Sequence, residues 1–232
     1  MRPINTTPDA LAVSESSFIS KVFLWMAAGL GVSGAAALWT IGSPAVRQLV
    51  FGTRWALLVL IVAQLGLVFW LSARAMQMGA GAARLIFLAY SFLNGVTLSS
   101  IFLVYTLGSL GTTFAVASGT FLFFALYGLT TKKDLTSLGN LAVMGLIGVV
   151  IASVVNIFLK SPALMWISTF VGIAVFMGLI AWDTQKLKAI HAAGHESEDF
   201  KRKAVILGAL ALYLDFINLF ILLLRIFGRQ RD

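Results

Sequence analysis

Three observations predict an all-α, polytopic membrane protein with seven transmembrane helices. The chain of 232 residues is 59% hydrophobic and 11% charged, where a soluble domain carries about 25% charged residues. Its mean hydropathy is +0.95. Seven apolar runs are each long enough to cross a hydrocarbon core of about 30 Å at about 1.5 Å per residue. The longest polar stretches, residues 1–17 and 184–203, are too short to make a soluble domain. The expected organisation is a mobile polar N-terminal tail at 1–17, one seven-helix membrane domain at 18–228 and a short basic tail at 229–232.

The first run, Val22–Ile41, contains Ala35-Ala36-Ala37, which looks like a signal-peptidase site. Only Arg2 and Lys21 precede the run, and its apolar character continues past the alanines, so it reads as an uncleaved first helix. Gly29, Gly31 and Gly34 in the same run spell G-x-G-x-x-G. A dinucleotide site needs a strand before the motif and an acidic residue about 20 positions after it. Inside a membrane helix, small residues instead permit close packing against neighbours.

The second run, Trp55–Ala73, ends at Arg74 and holds Gln64 as its strongly polar interior residue. The third, Leu85–Leu107, is rich in polar side chains, with Ser91, Asn94 and Leu98 on one face. Asn94 reads either as an interhelical hydrogen-bond partner or as lining to a watery cavity. The fourth run, Thr112–Leu129, leads into Lys132-Lys133-Asp134, and the fifth, Leu138–Leu159, closes on Lys160-Ser161-Pro162. The sixth, Ala163–Trp182, delivers Asp183 at its end. A polar connection over 184–203 precedes the seventh run, Ala204–Ile226.

The net charge of +8 does not point to nucleic acid, because the basic residues are scattered at the ends of apolar runs and form no patch with interleaved aromatics. With the N-terminus inside, Lys and Arg divide eleven to six in favour of the cytoplasmic side. If the seventh run were a re-entrant hairpin, the division would be fourteen to three. Both topologies stand at this level. The absence of cysteine excludes disulfides, thiolate catalysis and cysteine-bound metals.

The candidate site begins with Asp215, near the middle of the seventh run. A carboxylate at that depth is costly and must face protein or water. It is either a structural group bonded to a neighbouring helix or an ion or proton site. Asn218 lies three residues on, along the same face. Asp183 is a second carboxylate for it to meet, though periodicity does not show that pairing, and Lys186 three residues later offers Asp183 a local surface pair instead. Asp215 sits roughly 16 Å into its run and Asp183 at the edge of its own, so they meet only if the seventh helix begins outside the hydrocarbon or a watery vestibule reaches inward. If they meet, the two carboxyls cannot both ionise cheaply and titrate as a unit. The shared proton would latch helices six and seven; its loss would leave two charges that repel each other and attract a cation. With Asn218 and water they would make a sparse shell for calcium, which normally takes six to eight oxygens.

An intramembrane aspartyl protease is excluded by context. Pro162-Ala163-Leu164 spells PAL, but it precedes both aspartates, which stand in AWD and YLD rather than in YD and GxGD. His191 and His195 have helical spacing for a zinc pair, yet HAAGH lacks the glutamate of HExxH and contains Gly194, so a solvated loop is expected. No enzyme constellation and no resident cofactor emerge.

Four stretches carry a resemblance: LGLVFWLSARAM at 65–76, FLNGVTLSSIFLVYT at 92–106, GLIAWDTQKL at 178–187 and ALYLDFINLFILLLRIFG at 211–228. They resemble the Bax inhibitor-1 (transmembrane BAX inhibitor motif) family, in particular its bacterial YccA-like branch. That resemblance implies a last helix surrounded by the other six. It implies a pH-sensing pair at Asp183 and Asp215, with Arg74 as the switch that engages the pair when it opens. It further implies a pH-sensitive calcium leak in the bacterial inner membrane with the N-terminus cytoplasmic, and lipid, calcium and protons as partners. Eukaryotic relatives suppress cell death, and YccA-like members interact with the membrane protease FtsH, which makes a protease regulator the competing expectation. Two departures stand out. Gln64 occupies a place often held by glutamate, and Trp182 one often held by tyrosine.

Overall fold

The computed structural model describes residues 8–192 and 197–231. Among them the secondary structure is helical: α1 (Pro8–Gly42), α2 (Pro44–Phe51), α3 (Arg54–Arg74), α4 (Ala80–Leu98), α5 (Ile101–Val104), α6 (Leu107–Thr130), α7 (Thr136–Leu159), α8 (Pro162–Ala192) and α9 (Glu198–Phe227). Seven spans are long and apolar enough to cross a membrane, with α4 and α5 together forming the third. The protein is a polytopic all-α membrane protein. Spans α3 and α7 turn almost their whole apolar surface outward, with 6% of each buried, whereas α9 is 72% buried.

Several boundaries differ from the sequence expectation, each for a physical reason. Helix α1 starts at Pro8, within the expected tail, because proline suits the first helical position and Asp9-Ala10-Leu11-Ala12 sustains a helix. The third span is broken at Ser99-Ser100. There the Ser99 and Ser100 hydroxyls donate to the carbonyls of Val96 and Thr97, at 2.6 and 2.9 Å, and take over the end of α4. Helix α8 continues nine residues beyond Asp183, and α9 begins six residues before Ala204. The expected polar connection is therefore largely helical. Helix α9 is also uninterrupted for 30 residues, about 45 Å, which rules out a re-entrant hairpin.

The chain divides into two compact units, each described on its own. The first holds the residues up to Ser100 with Leu187–Leu210. In it α1 packs along α4, and α4 along α3. The glycine motif does the work expected of it at Gly29, where an added Cβ would meet the Phe87 ring and the Ser91 hydroxyl. At Gly95 the α4 backbone approaches that of Ser33 so closely that no side chain fits. The Ser33 hydroxyl, in a three-centred arrangement, reaches the carbonyls of Gly29 and Ser91, at 3.0 and 2.7 Å. Short α2, which the sequence reading did not anticipate, seals this unit with Val50 against Ala36 and Val96.

The second unit holds Ile101–Lys186 and the residues from Ala211 on. Its C-terminal tail is tied down: Thr106 N–H donates to the Arg229 carbonyl at 3.0 Å, and Arg231 N–H to the Val104 carbonyl at 2.8 Å.

Candidate functional site

The site is built in the second unit, where α8 is held by small residues on its neighbours. Gly128 of α6 lets its helix close on the Ala181 backbone, and Gly139 of α7 leaves a slot filled by the Trp182 indole. Gln185 then fastens the next turn: its Oε1 accepts from Leu135 N–H at 2.9 Å and its Nε2 donates to the Lys133 carbonyl at 2.8 Å. Asp183 is thus set in a segment anchored on both sides. From the opposite direction, α9 is fixed by Phe216, whose ring meets those of Phe114 and Phe121 edge-on at 5.4 and 5.7 Å.

These supports place the Asp183 and Asp215 carboxyls within reach of each other, so that each bears on the other's charge. A hydrogen bond between two carboxyls needs a proton on one of them. Asp215 is 6% exposed and its Oδ2 is buried without a hydrogen-bond partner; Asp183 is half-buried. The local surface pair that Lys186 offered is not the main arrangement: its Nζ lies over the Trp182 ring, 4.9 Å from the centroid, while its charge still reaches Asp183.

The other expected site residues take up local partners and positions of their own. Asn218 donates its amide to the Leu214 carbonyl of its own helix at 2.8 Å. Gln64, buried in α3, donates to the Thr97 hydroxyl of α4. Asn94 is buried in α4, and Arg74 ends α3 with an exposed side chain. All three of these belong to the first unit. His191 is not in a solvated loop; it lies in α8, stacked on Phe18 at 5.2 Å, with Nδ1 buried. His195 lies outside the described residues. No group of three or more acidic or histidine side chains suited to a resident metal occurs among the described residues. What sequence reasoning missed is the anchoring: Gly128, Gly139 and Gln185 have no signal of their own in a single apolar sequence.

Fold and site together define a polytopic helical membrane protein with two neighbouring carboxyls on two of its spans. The family model described as "Inhibitor of apoptosis-promoting Bax1" matches residues 15–232, and the chain belongs to that Bax inhibitor-1 family. Similar proteins include the inner membrane protein YbhL of Escherichia coli K12, 50% identical over 93% of this chain and 92% of its own length. Others are the protein RP147 of Rickettsia prowazekii, 42% identical over 93% and 90%, and a protein of Deinococcus radiodurans, 38% identical over 100% and 98%.

Proposed function

We propose that this protein is a pH-sensitive cation leak channel of a bacterial inner membrane, conducting calcium, with Asp183 and Asp215 as its latch. The single observation that supports the reading is the juxtaposition of these two carboxyls, one of them on the most enclosed span. While the pair holds its proton, α8 and α9 are joined. Once the proton leaves, two carboxylates face each other at low dielectric, repel, and present a divalent cation with paired negative charge. Two carboxylates fall well short of the six to eight oxygens calcium prefers, so the ion passes rather than stays. The membrane assignment draws on the name of the Escherichia coli relative, and the cytoplasmic N-terminus on the distribution of Lys and Arg.

The sign follows directly. Protonation closes the latch and deprotonation opens it, so flux rises with pH. Liposomes containing only this protein should take up calcium faster at about pH 8 than at about pH 6. Asp183→Asn/Asp215→Asn should show one rate at all pH values. Asp215→Asn alone should lose cation binding and the pH response; retained pH-dependent flux in that variant would remove Asp215 from the mechanism. The role of Arg74 as switch rests on family resemblance and is tested by Arg74→Gln, which should lower flux at the higher pH while leaving the low-pH rate unchanged.

A further inference from the structure

A cavity of about 480 Å³ lies in the second unit where α7 turns into α8, bordered by the end of α9. The tail closes one side of it through Tyr105 and Gln230, which pair across the backbone. Arg225 supplies the positive charge, and among the described residues no acidic side chain lines the space. The remaining polar groups divide into two kinds. The Ser153, Ser168 and Thr169 hydroxyls already donate to carbonyls of their own helices, at 2.7, 2.9 and 2.7 Å, so their oxygens remain as acceptors. Asn156 is the opposite case. Its Oδ1 accepts from Ser161 N–H at 2.9 Å, which leaves its NH₂ as a donor.

A cation with an amide donor beside it, and hydroxyl acceptors across the cavity, match a ligand carrying an anion and a separate N–H or O–H donor. The surroundings say how the ligand arrives. Ile157 lines the cavity and is 68% exposed, and its neighbour Phe158 is 81% exposed. Trp166 and Phe170 stack at 5.9 Å on the α8 side. In a membrane these faces meet acyl chains, so the polar cavity opens beside a lipid-facing surface. We propose that this cavity is a phospholipid headgroup site. Arg225 and Asn156 hold the phosphate, and the Ser153, Ser168 and Thr169 oxygens accept from the terminal ammonium of a phosphoethanolamine headgroup. An arginine that merely extends its charge to the membrane surface would bind any phospholipid alike; the hydroxyl wall adds selectivity for a headgroup that donates.

The test uses the full chain in mild detergent, stripped of lipid, with bound lipid counted by native mass spectrometry. One phosphatidylethanolamine per chain should bind saturably. Phosphatidylcholine, whose quaternary ammonium cannot donate, should bind less tightly. Arg225→Gln should weaken binding about tenfold or more, as loss of a charge-assisted contact implies. Arg225→Lys should restore part of it, and Arg229→Gln should change nothing. Since Arg225 is exposed, its substitution should leave thermal unfolding unaltered; Ser168→Leu, which fills the cavity, gives an independent loss of binding. Equal binding by wild type and Arg225→Gln, or equal affinity for both lipids, overturns the proposal. Glycerophosphoethanolamine and inorganic phosphate test the source. If either binds as tightly as the intact lipid and displaces it, the site serves a soluble phosphate and the lipid assignment fails.

Discussion

Asp183 and Asp215 could each be read as chemically significant from sequence, because a carboxylate inside an apolar run has no inexpensive resting place. Their contact could not, since it depends on where two helices begin and end. Asn218 shows the limit of periodicity: it shares a face with Asp215, yet its amide is satisfied by Leu214 one turn back. The Trp182 indole occupies the room that Gly139 leaves. Gly139→Ala should therefore lower stability by about 1–3 kcal/mol through overpacking. Trp182→Ala should relieve most of that penalty when combined with it, as a double-mutant cycle of thermal unfolding in detergent would show. Asp134 gives a second expectation at this scale. The hydroxyl and N–H of Thr136 both donate to it, at 2.6 and 2.8 Å, which holds its carboxyl below the ordinary value of 3.8. A depressed value means that its stabilising effect is present at neutral pH and lost as pH falls through the acid range below 3.8. Asp134→Ala should be less stable than wild type at pH near 7, and the difference should vanish in acid.

Among the helices, hydropathy located the spans but misplaced the edges of those that matter most. The polar residues after Asp183 belong to α8 because a helix continues past the hydrocarbon as readily as within it when its residues are good helix formers. That extension sets Asp183 within a continuous helix rather than at its end, and α9 likewise begins six residues before its apolar run. The break at Ser99-Ser100 carried a visible cue, two adjacent serines after Thr97, but serine is equally at home inside a membrane helix when it bonds back to its own carbonyls. The end of α7 offers a cleaner test. Lys160 is left-handed, with φ 49° and ψ 34°, a conformation that costs a side-chain-bearing residue about 1–2 kcal/mol. Lys160→Gly should raise stability by up to about 1 kcal/mol, with the greater unfolded-state freedom of glycine offsetting the rest. Unchanged or lowered unfolding temperature would count against strain at that turn.

For the whole molecule, seven spans and the all-α membrane class were legible because bilayer thickness and backbone satisfaction leave few alternatives. The family resemblance was equally legible and the match over residues 15–232 agrees with it. The choice between a full span and a hairpin for the last run was not, since loop charge favoured one and length permitted the other; the unbroken α9 decides it. The proposed function depends on Asp183 and Asp215 sharing a proton that leaves as pH rises. Infrared difference spectra of the protein in lipid, between about pH 6 and about pH 8, address it directly. Wild type should show a protonated-carboxyl band that declines as pH rises, and both Asp183→Asn and Asp215→Asn should lack it. A wild-type spectrum with no such band at any pH in that range, or one that Asp215→Asn leaves intact, would contradict the shared proton and with it the latch.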